Sequence, residues 1–114
     1  MDYRKIVEIA RQRKNFGKLQ NPTNIGKAQN TRCGDDLTLE LLIENGKIKD
    51  AAFNGIGCAL SLASFTILTE MIKGKDAKEA KKISENDILG ALEIEQKKRC
   101  AILSLEALKK ALEK

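Results

Sequence analysis

The sequence predicts an α+β fold, in which a small antiparallel sheet of about three strands has helices packed on one face. Apolar and polar residues alternate with strand period over residues 37–44. The dipeptide Asn45-Gly46, which is typical of two-residue hairpin turns, follows directly. Further along the chain, apolar residues recur at helical spacing up to the C-terminus. Strands followed by a run of helices are typical of α+β domains.

The length of 114 residues and the composition predict a single domain over residues 1–114. The net charge is +5, and the first twenty residues hold six Lys or Arg against two acidic residues. Basic segments without interleaved aromatics are typical of solvated helix faces, so we do not expect nucleic-acid binding. No apolar run approaches the length of a membrane span, and no signal-peptide pattern is present. We therefore expect a cytoplasmic protein that does not contact membranes.

The first third of the chain combines helix and loop signals. Residues 1–15 are predicted to form an N-terminal helix, which Asp2 would cap. Residues 16–32 are predicted to be a flexible segment, because Gly17 and Asn21-Pro22 break the periodicity. Two strands alone are marginally stable, so a third strand is expected from residues 23–32.

The second strand of the hairpin begins at Lys47 and includes two large apolar residues, Ile48 and Phe53. Because these are five positions apart, they cannot share one face of a regular strand. We therefore predict a β-bulge near Asp50–Ala52.

Several helices are predicted after the hairpin. The central one covers residues 59–73, with Gly74 in the C′ position. Capping boxes are predicted at Asp76–Glu79, for a short helix ending near residue 83, and at Ser84–Asp87. The last helix is predicted to begin near Cys100.

Three cysteines, Cys33, Cys58 and Cys100, lie at predicted strand or helix ends beside glycine or charge. An odd number of cysteines cannot pair completely within one chain. Their positions outside the apolar stripes favour a chemical role over core packing. At a predicted helix start, Cys58 is expected to have a thiol pKa lowered by the helix dipole. Such a thiol could be a nucleophile, a metal ligand or a sulfur acceptor.

An antiparallel hairpin brings its two open ends together. Cys33 and Asp35 precede the first strand and Cys58 follows the second, so these three residues are expected to converge. Cys100 joins them if the last helix begins at the same end. Three thiolates and a carboxylate suit a tetrahedral metal such as zinc. Iron–sulfur clusters prefer four thiolates, so an oxygen ligand should hold a cluster less tightly.

Two charged residues near these positions have simpler explanations. Asp35 is also a common turn or cap residue. Arg99 would most simply be a surface charge, but at a helix N-terminus it opposes the dipole. We therefore expect Arg99 to have an anionic or thiolate partner close by.

A further set of residues forms an ordered pattern over nearly the whole chain. It consists of Asn21-Pro22, Asn24, Gly26, Cys33-Gly34-Asp35, Gly46, Ile48, Asp50, Phe53, Gly55, Gly57-Cys58, Ala63-Ser64, Gly74-Lys75, Glu79-Ala80 and Cys100. With this pattern the sequence resembles the IscU/NifU-type iron–sulfur cluster assembly scaffolds.

The resemblance implies the α+β fold of that family and the function of a scaffold or carrier, not an enzyme. Cys33, Cys58 and Cys100 would receive sulfur from a cysteine desulfurase. With iron from an iron donor they would assemble a [2Fe–2S] cluster for transfer to apo-proteins. Asp35 would keep the cluster labile, and the same pocket would bind zinc when no cluster is present. Cys100 would be the first sulfur acceptor, on a mobile loop.

Three departures from the family pattern bear on these expectations. The scaffold branch usually has His before the last cysteine, where this chain has Arg99. A basic residue there resembles the zinc-dependent sulfurtransferase acceptors, which is the alternative function, although the interval from Gly74 to Cys100 lacks their insertion. The motif that docks an Hsp70-type chaperone is missing from residues 92–97, so we do not expect delivery through it. The segment from Asn24 to Cys33 is shorter than usual, so the edge strand is expected to be short or absent.

A third hypothesis is a basic binding module without metal chemistry, which would follow from the positive charge alone. The fourth ligand of a cluster stays open because the chain has no His. A homo-oligomer that shares a cluster between two chains also stays open.

Overall fold

The computed structural model describes residues 3–95 and 98–113. The elements in chain order are α1 (Tyr3–Arg11), β1 (Asn24–Asn30), β2 (Asp35–Glu44), β3 (Lys47–Ile56), α2 (Ala59–Ile72), α3 (Ala77–Ala80), α4 (Glu85–Leu92) and α5 (Arg99–Leu112). The predicted cap Asp2 lies outside the described residues. None of the helices within the described ranges is long and apolar enough to cross a bilayer.

The three strands form one antiparallel sheet in the order β1-β2-β3, with β2 in the centre. Helix α5 packs on β1 and β2, α2 packs on β3 and against α5, and α1 packs on α2. The central strand contributes the fully buried side chains of Leu37, Leu39 and Leu41 to the core between sheet and helices. The predicted α+β class with a three-stranded antiparallel sheet is therefore confirmed.

The hairpin between β2 and β3 has the predicted turn and a bulge. Asn45 and Gly46 both have positive φ, at 54° and 77°, as a type I′ turn requires. Leu42 pairs with Asp50 while Ile43 pairs with Ile48, which leaves Lys49 as the extra residue. The bulge thus lies one residue before the predicted range. It brings Ile48 to the buried face that Phe53 also occupies.

The segment predicted to be flexible contains a full strand. β1 pairs with β2 over seven residues, from Asn24–Leu41 to Asn30–Asp35. The expectation of a short or absent edge strand is therefore wrong. The strand lacks bulky apolar residues because α5 lies almost against its backbone. A Cβ added to Gly26 would lie 2.0 Å from the carbonyl oxygen of Ala107.

Helix α1 ends at Arg11, four residues before the predicted end, and the chain then turns at Arg13 and Asn15, which have positive φ. The following residues cover the outer edge of β3. The N–H of Gly17 donates to the carbonyl of Phe53, and the N–H of Phe53 donates to the carbonyl of Asn15. A covered edge leaves no open template for pairing with another chain at this point.

The helix ends agree with the sequence signals in part. Ser84 and Asp87 form the predicted capping box of α4. Asp76 is the N-cap of α3 but makes no side-chain cap, so the box predicted there is wrong. The N–H of Ala77 instead donates to the carbonyl of Gly46 in the hairpin turn. Helix α3 ends at Ala80, whereas the sequence predicted that it would end near residue 83.

We expect Gly26→Ala to lower the free energy of unfolding by about 1–3 kcal/mol, because the added methyl group has no room against α5. Urea denaturation measures this change. Gly90→Ala is the matched control: Gly90 lies in α4 with nothing within 4 Å of an added Cβ. That variant should be as stable as the wild type, or more stable by up to about 1 kcal/mol. Equal stability of Gly26→Ala and wild type would contradict the close packing of α5 on β1.

Candidate metal and cluster site

Four predicted residues meet at one end of the sheet because four element ends meet there. Cys33 lies in the turn of residues 31–34 between β1 and β2, and Asp35 is the first residue of β2. Cys58 is the N-cap of α2. Cys100 is the second residue of α5, and so lies in a helix and not on the loop that the resemblance implied.

The sulfur and oxygen atoms of these residues are close to one another. The Sγ of Cys100 lies 3.0 Å from the Sγ of Cys33 and 3.3 Å from Oδ2 of Asp35. The possible ligand atoms of Cys33, Asp35 and Cys100 all lie within 4.8 Å of one another. Cys58 stands at the edge of this group, with its Sγ 3.9 Å from Oδ2 of Asp35. The side chains of Cys33, Asp35 and Cys100 are therefore close enough to face one ion, and Cys58 lies beside them.

The Asp35 carboxylate is buried and fully hydrogen-bonded. Its Oδ1 accepts the backbone N–H of Cys58 at 2.8 Å, and its Oδ2 accepts the hydroxyl of Ser61 at 2.6 Å. Burial raises the pKa of Asp35, but the hydrogen bonds from Ser61, the Cys58 N–H and Cys100 together outweigh burial. The pKa therefore lies below the usual value, so Asp35 is ionised at neutral pH and can offer an anionic oxygen to a metal. The simpler explanation, a local turn or cap residue, is wrong, because Asp35 is the first residue of β2 and its bond to the Cys58 N–H joins two distant parts of the chain.

The three thiols form a gradient of exposure. Cys33 is exposed, Cys58 is half-buried and Cys100 is buried. Burial, followed by the contacts with Cys33 and Asp35, raises the pKa of Cys100 well above its ordinary value. Cys100 is thus a protonated thiol until a metal displaces its proton, so metal binding at this site should release protons.

Two polar side chains of the site were missed by reasoning from the sequence. The Nδ2 of Asn30 donates to the Sγ of Cys100 at 3.2 Å, and Ser61 contacts both Asp35 and Cys58. The signal for Ser61 was available, because residues three apart share a helix face and Ser61 follows Cys58 by three. Asn30 pairs with Asp35 across the sheet, so its role could be found only once β1 was known.

A glycine allows the start of α2 to approach β2. A Cβ on Gly57 would lie 2.8 Å from Cδ1 of Leu37 and 3.5 Å from Oδ1 of Asp35. The glycine before Cys58 therefore makes room for the hydrogen bond between the Cys58 N–H and the carboxylate.

A cavity of about 690 Å³ opens onto the thiols, and cationic side chains surround it. The opening of this cavity, called the cationic mouth below, is lined by Arg32, Lys98 and Arg99. The guanidinium of Arg99 donates to Glu106 at 3.2 Å and to the carbonyl of Gln29 at 2.9 Å. The anionic partner expected for Arg99 is therefore Glu106.

The whole chain, residues 1–114, matches the family model of the NifU-like N-terminal domain. The chain belongs to this family. The resemblance to the IscU/NifU-type proteins, which rested on the ordered motifs, is thereby confirmed.

Curated relatives of this NifU-like domain include proteins named as iron–sulfur cluster assembly scaffolds. The chain is 33% identical over 111 residues to scaffold protein IscU 1 of Archaeoglobus fulgidus, covering 95% of the chain and 72% of the relative. It is 36% identical over 128 residues to scaffold protein IscU of Thermotoga maritima, covering 96% and 90%. A crystal structure from Fervidobacterium islandicum, assigned as an iron–sulfur cluster assembly scaffold protein for the SUF system, superposes with a TM-score of 0.79. Its sequence identity is 31%, and the match covers 95% and 93% of the two chains.

We expect Asp35 to contribute to the pH dependence of stability in acid. Because its pKa is lower in the folded state, its contribution is present above pH about 3.8 and is lost as the pH falls through the folded-state pKa. Urea denaturation of the metal-free protein between about pH 5 and pH 3 measures the loss. The free energy of unfolding of Asp35→Asn should fall less over this range than that of wild type. Asp36→Asn, which alters the exposed neighbour paired with Lys27, is the control. If the free energy of unfolding of Asp35→Asn and that of wild type fell in parallel with pH, the contribution of Asp35 to the pH dependence would be refuted.

Proposed function

We propose that this protein is a scaffold on which iron and sulfur assemble into a transient [2Fe–2S] cluster that is then transferred to apo-proteins. The observation that carries the proposal is that Cys33, Cys58 and Cys100 line one cavity, while the buried carboxylate of Asp35 contacts Cys58 and Cys100. Membership of a family whose relatives are named as cluster assembly scaffolds supports it.

The four side chains match in number the terminal ligands of the cluster. Two irons bridged by two sulfides take four terminal ligands, which are usually thiolates. Cys33, Cys58 and Cys100 would supply three thiolates, and Asp35 would supply the fourth ligand in place of the missing His. The carboxylate oxygen is a harder ligand than sulfur and matches iron–sulfur chemistry less well. The protein would therefore hold the cluster loosely enough to pass it on.

The sulfur would come from a cysteine desulfurase, and Cys100 is the acceptor that we propose. The Cys100 thiol would attack the terminal sulfur of the desulfurase persulfide, and its proton would pass to the desulfurase thiolate that leaves. The S–S bond would break, the electron pair would stay on the desulfurase thiolate, and Cys100 would hold the persulfide. A thiol or electron-transfer reductant would then supply two electrons to convert each transferred sulfur to sulfide. Because Cys33 lies 3.0 Å from Cys100 and is the exposed thiol, the turn of residues 31–34 would have to move aside.

The surroundings of the site suit these partners. The cationic mouth with Arg32 and Lys98 favours approach of an acidic desulfurase surface or an anionic iron donor. Three free cysteines are typical of a reducing compartment, which supports action in the cytoplasm. The same four side chains would bind zinc tetrahedrally in the cluster-free form.

The alternative of a zinc-dependent sulfurtransferase acceptor rested on Arg99. The hydrogen bonds of Arg99 to Glu106 and Gln29 give this residue a local structural explanation. The names of the relatives favour the scaffold function as well.

Anaerobic reconstitution tests the proposal. Wild-type protein with ferrous iron, cysteine, a cysteine desulfurase and a thiol reductant should develop the visible absorption of a [2Fe–2S] cluster. Native gels and spectra should then show transfer to an apo-ferredoxin. Cys100→Ser should form neither the cluster nor, when iron is omitted, the protein persulfide that mass spectrometry detects in wild type. No cluster absorption in wild type would refute the scaffold function, and a wild-type persulfide found on Cys33 alone would refute the role of Cys100.

We expect Asp35→Ala to hold the cluster longer than wild type. A buffer thiol can take the position that the carboxylate leaves, which produces an all-thiolate site of the kind that iron–sulfur clusters prefer. The decay of visible absorption in the presence of a chelator measures the lifetime. Asp36→Ala, beside it but ion-paired with Lys27 at the surface, should decay as wild type does. Faster loss of the cluster from Asp35→Ala would contradict the role assigned to the carboxylate.

A further inference from the structure

Ser61 is a buried hydroxyl that the proposed assembly steps do not use. It lies in the first turn of α2, and its side chain is wholly inaccessible to solvent. Its Oγ lies 2.6 Å from Oδ2 of Asp35 and 3.3 Å from the Sγ of Cys58. A hydroxyl has a single proton and can donate it to only one of these two atoms.

The distances assign that proton to Asp35. A separation of 2.6 Å lies in the range of hydrogen bonds between a hydroxyl and a charged carboxylate, which are stronger than neutral ones. The Sγ of Cys58 is farther away and can donate its own proton to the Ser61 oxygen. The three side chains thus form a compact triangle, since the Sγ of Cys58 also lies 3.9 Å from Oδ2 of Asp35.

The hydroxyl of Ser61 restricts the rotation of the Asp35 side chain, which a fixed backbone alone leaves open. The main chain at Asp35 is fixed at the start of the central strand, where it pairs with Asn30. The N–H of Cys58 holds Oδ1 at 2.8 Å. A carboxylate held at one oxygen can still rotate, and the hydroxyl of Ser61 holds the second oxygen.

We propose that Ser61 is a positioning residue that aims Oδ2 of Asp35 at the thiols of Cys33 and Cys100. This inference rests on the proposed function, because it takes Asp35 as a ligand. Groups that hydrogen-bond to a metal ligand orient it, and their removal typically weakens metal binding 10–100-fold. Ser61→Ala keeps the ligands themselves but frees Oδ2, which then retains only the Cys100 thiol at 3.3 Å and the longer contact to Cys58.

The same helix offers a matched control. Ser64 is also a wholly buried serine of α2, and its Oγ donates to the carbonyl of Ala101 at 2.6 Å and lies 2.7 Å from Oγ of Ser104. Ser64→Ala therefore removes the same atom from an equally buried position that lacks contact with Asp35. Any effect of burial or helix packing alone should appear in both variants.

The experiment is a titration of the reduced protein with Co²⁺, in a buffer with a phosphine reductant and no added thiol. Thiolate-to-cobalt bands and ligand-field bands report affinity and coordination geometry. We expect Ser61→Ala to raise the Kd for Co²⁺ about 10–100-fold and to change the ligand-field bands. Ser64→Ala should match wild type even where its melting temperature is lower. In an Asp35→Ala background, Ser61→Ala should cause no further loss of Co²⁺ affinity, because the effect of Ser61 acts through the Asp35 carboxylate.

Three results would overturn the inference. A wild-type Kd and spectrum for Ser61→Ala would show that the hydroxyl does not position the ligand. An equal loss of affinity with and without Asp35 would show that Ser61 acts by another route. If the wild-type protein bound no Co²⁺, the proposed ligand set would be wrong and the inference would fail with it. The first two results would overturn the inference but leave the scaffold function intact. Circular dichroism of the metal-free variants checks folding. If Ser61→Ala does not fold, Ser61→Thr retains the hydroxyl and should keep the wild-type Kd, and a weaker Kd there would also count against the inference.

Discussion

The hydrogen bonds of the buried Asp35 carboxylate determine how the site residues are arranged at this end of the sheet. A buried anion is costly unless hydrogen bonds satisfy it, and here its donors come from the N-cap residue and the first turn of α2. The carboxylate thereby joins the start of the central strand to the start of the central helix. Because Cys58 is the donor of one of these bonds, the same contact that satisfies the charge also sets the position of a thiol.

Close packing of α5 on β1 brings the last thiol to the same place. The backbone of Gly26 lies so near to Ala107 that no side chain fits between strand and helix. Near the opposite end of the strand, Asn30 reaches the Sγ of Cys100 in the first turn of the helix. The site therefore depends on two packing contacts, α2 on Asp35 and α5 on β1, and neither involves the exposed turn that carries Cys33.

The parts of the fold that the sequence predicted are those in which local pattern and tertiary packing agree. The alternation in β2, the Asn45-Gly46 turn and the capping box at Ser84 are local signals, and each corresponds to an observed element. The parity of Ile48 and Phe53 predicted a bulge to within one residue, because burial on one face is a strict constraint.

The failures have the opposite cause, since tertiary contacts override local signals there. β1 has no alternation of bulky residues, because Gly26 and Ala28 are small to admit α5. The pattern at Asp76 suggests a capping box, but backbone bonding to the hairpin turn replaces it.

Prediction of the site followed the same division. Antiparallel pairing alone predicted that Cys33, Asp35 and Cys58 would converge, whereas the arrival of Cys100 depended on how α5 packs. The contacts of Ser61 and Asn30 also join elements that are distant in the sequence. Their role in the site can therefore be inferred only when the packing of the partner elements is known.

The hydrogen bonds within the site also bear on how a cluster would leave it. Among residues 3–95 and 98–113, every buried side-chain nitrogen and oxygen atom has a hydrogen-bond partner. The thiol of Cys100 contacts Asp35 and Cys33, and Ser61 contacts Asp35, so these groups satisfy one another without an ion. A departing cluster would leave protonated thiols and a hydrogen-bonded carboxylate, not unpaired buried charges. These internal hydrogen bonds lower the free-energy cost of releasing the cluster, and a carrier requires such a low cost. An all-thiolate site without internal hydrogen-bond partners would release its cluster at a higher cost.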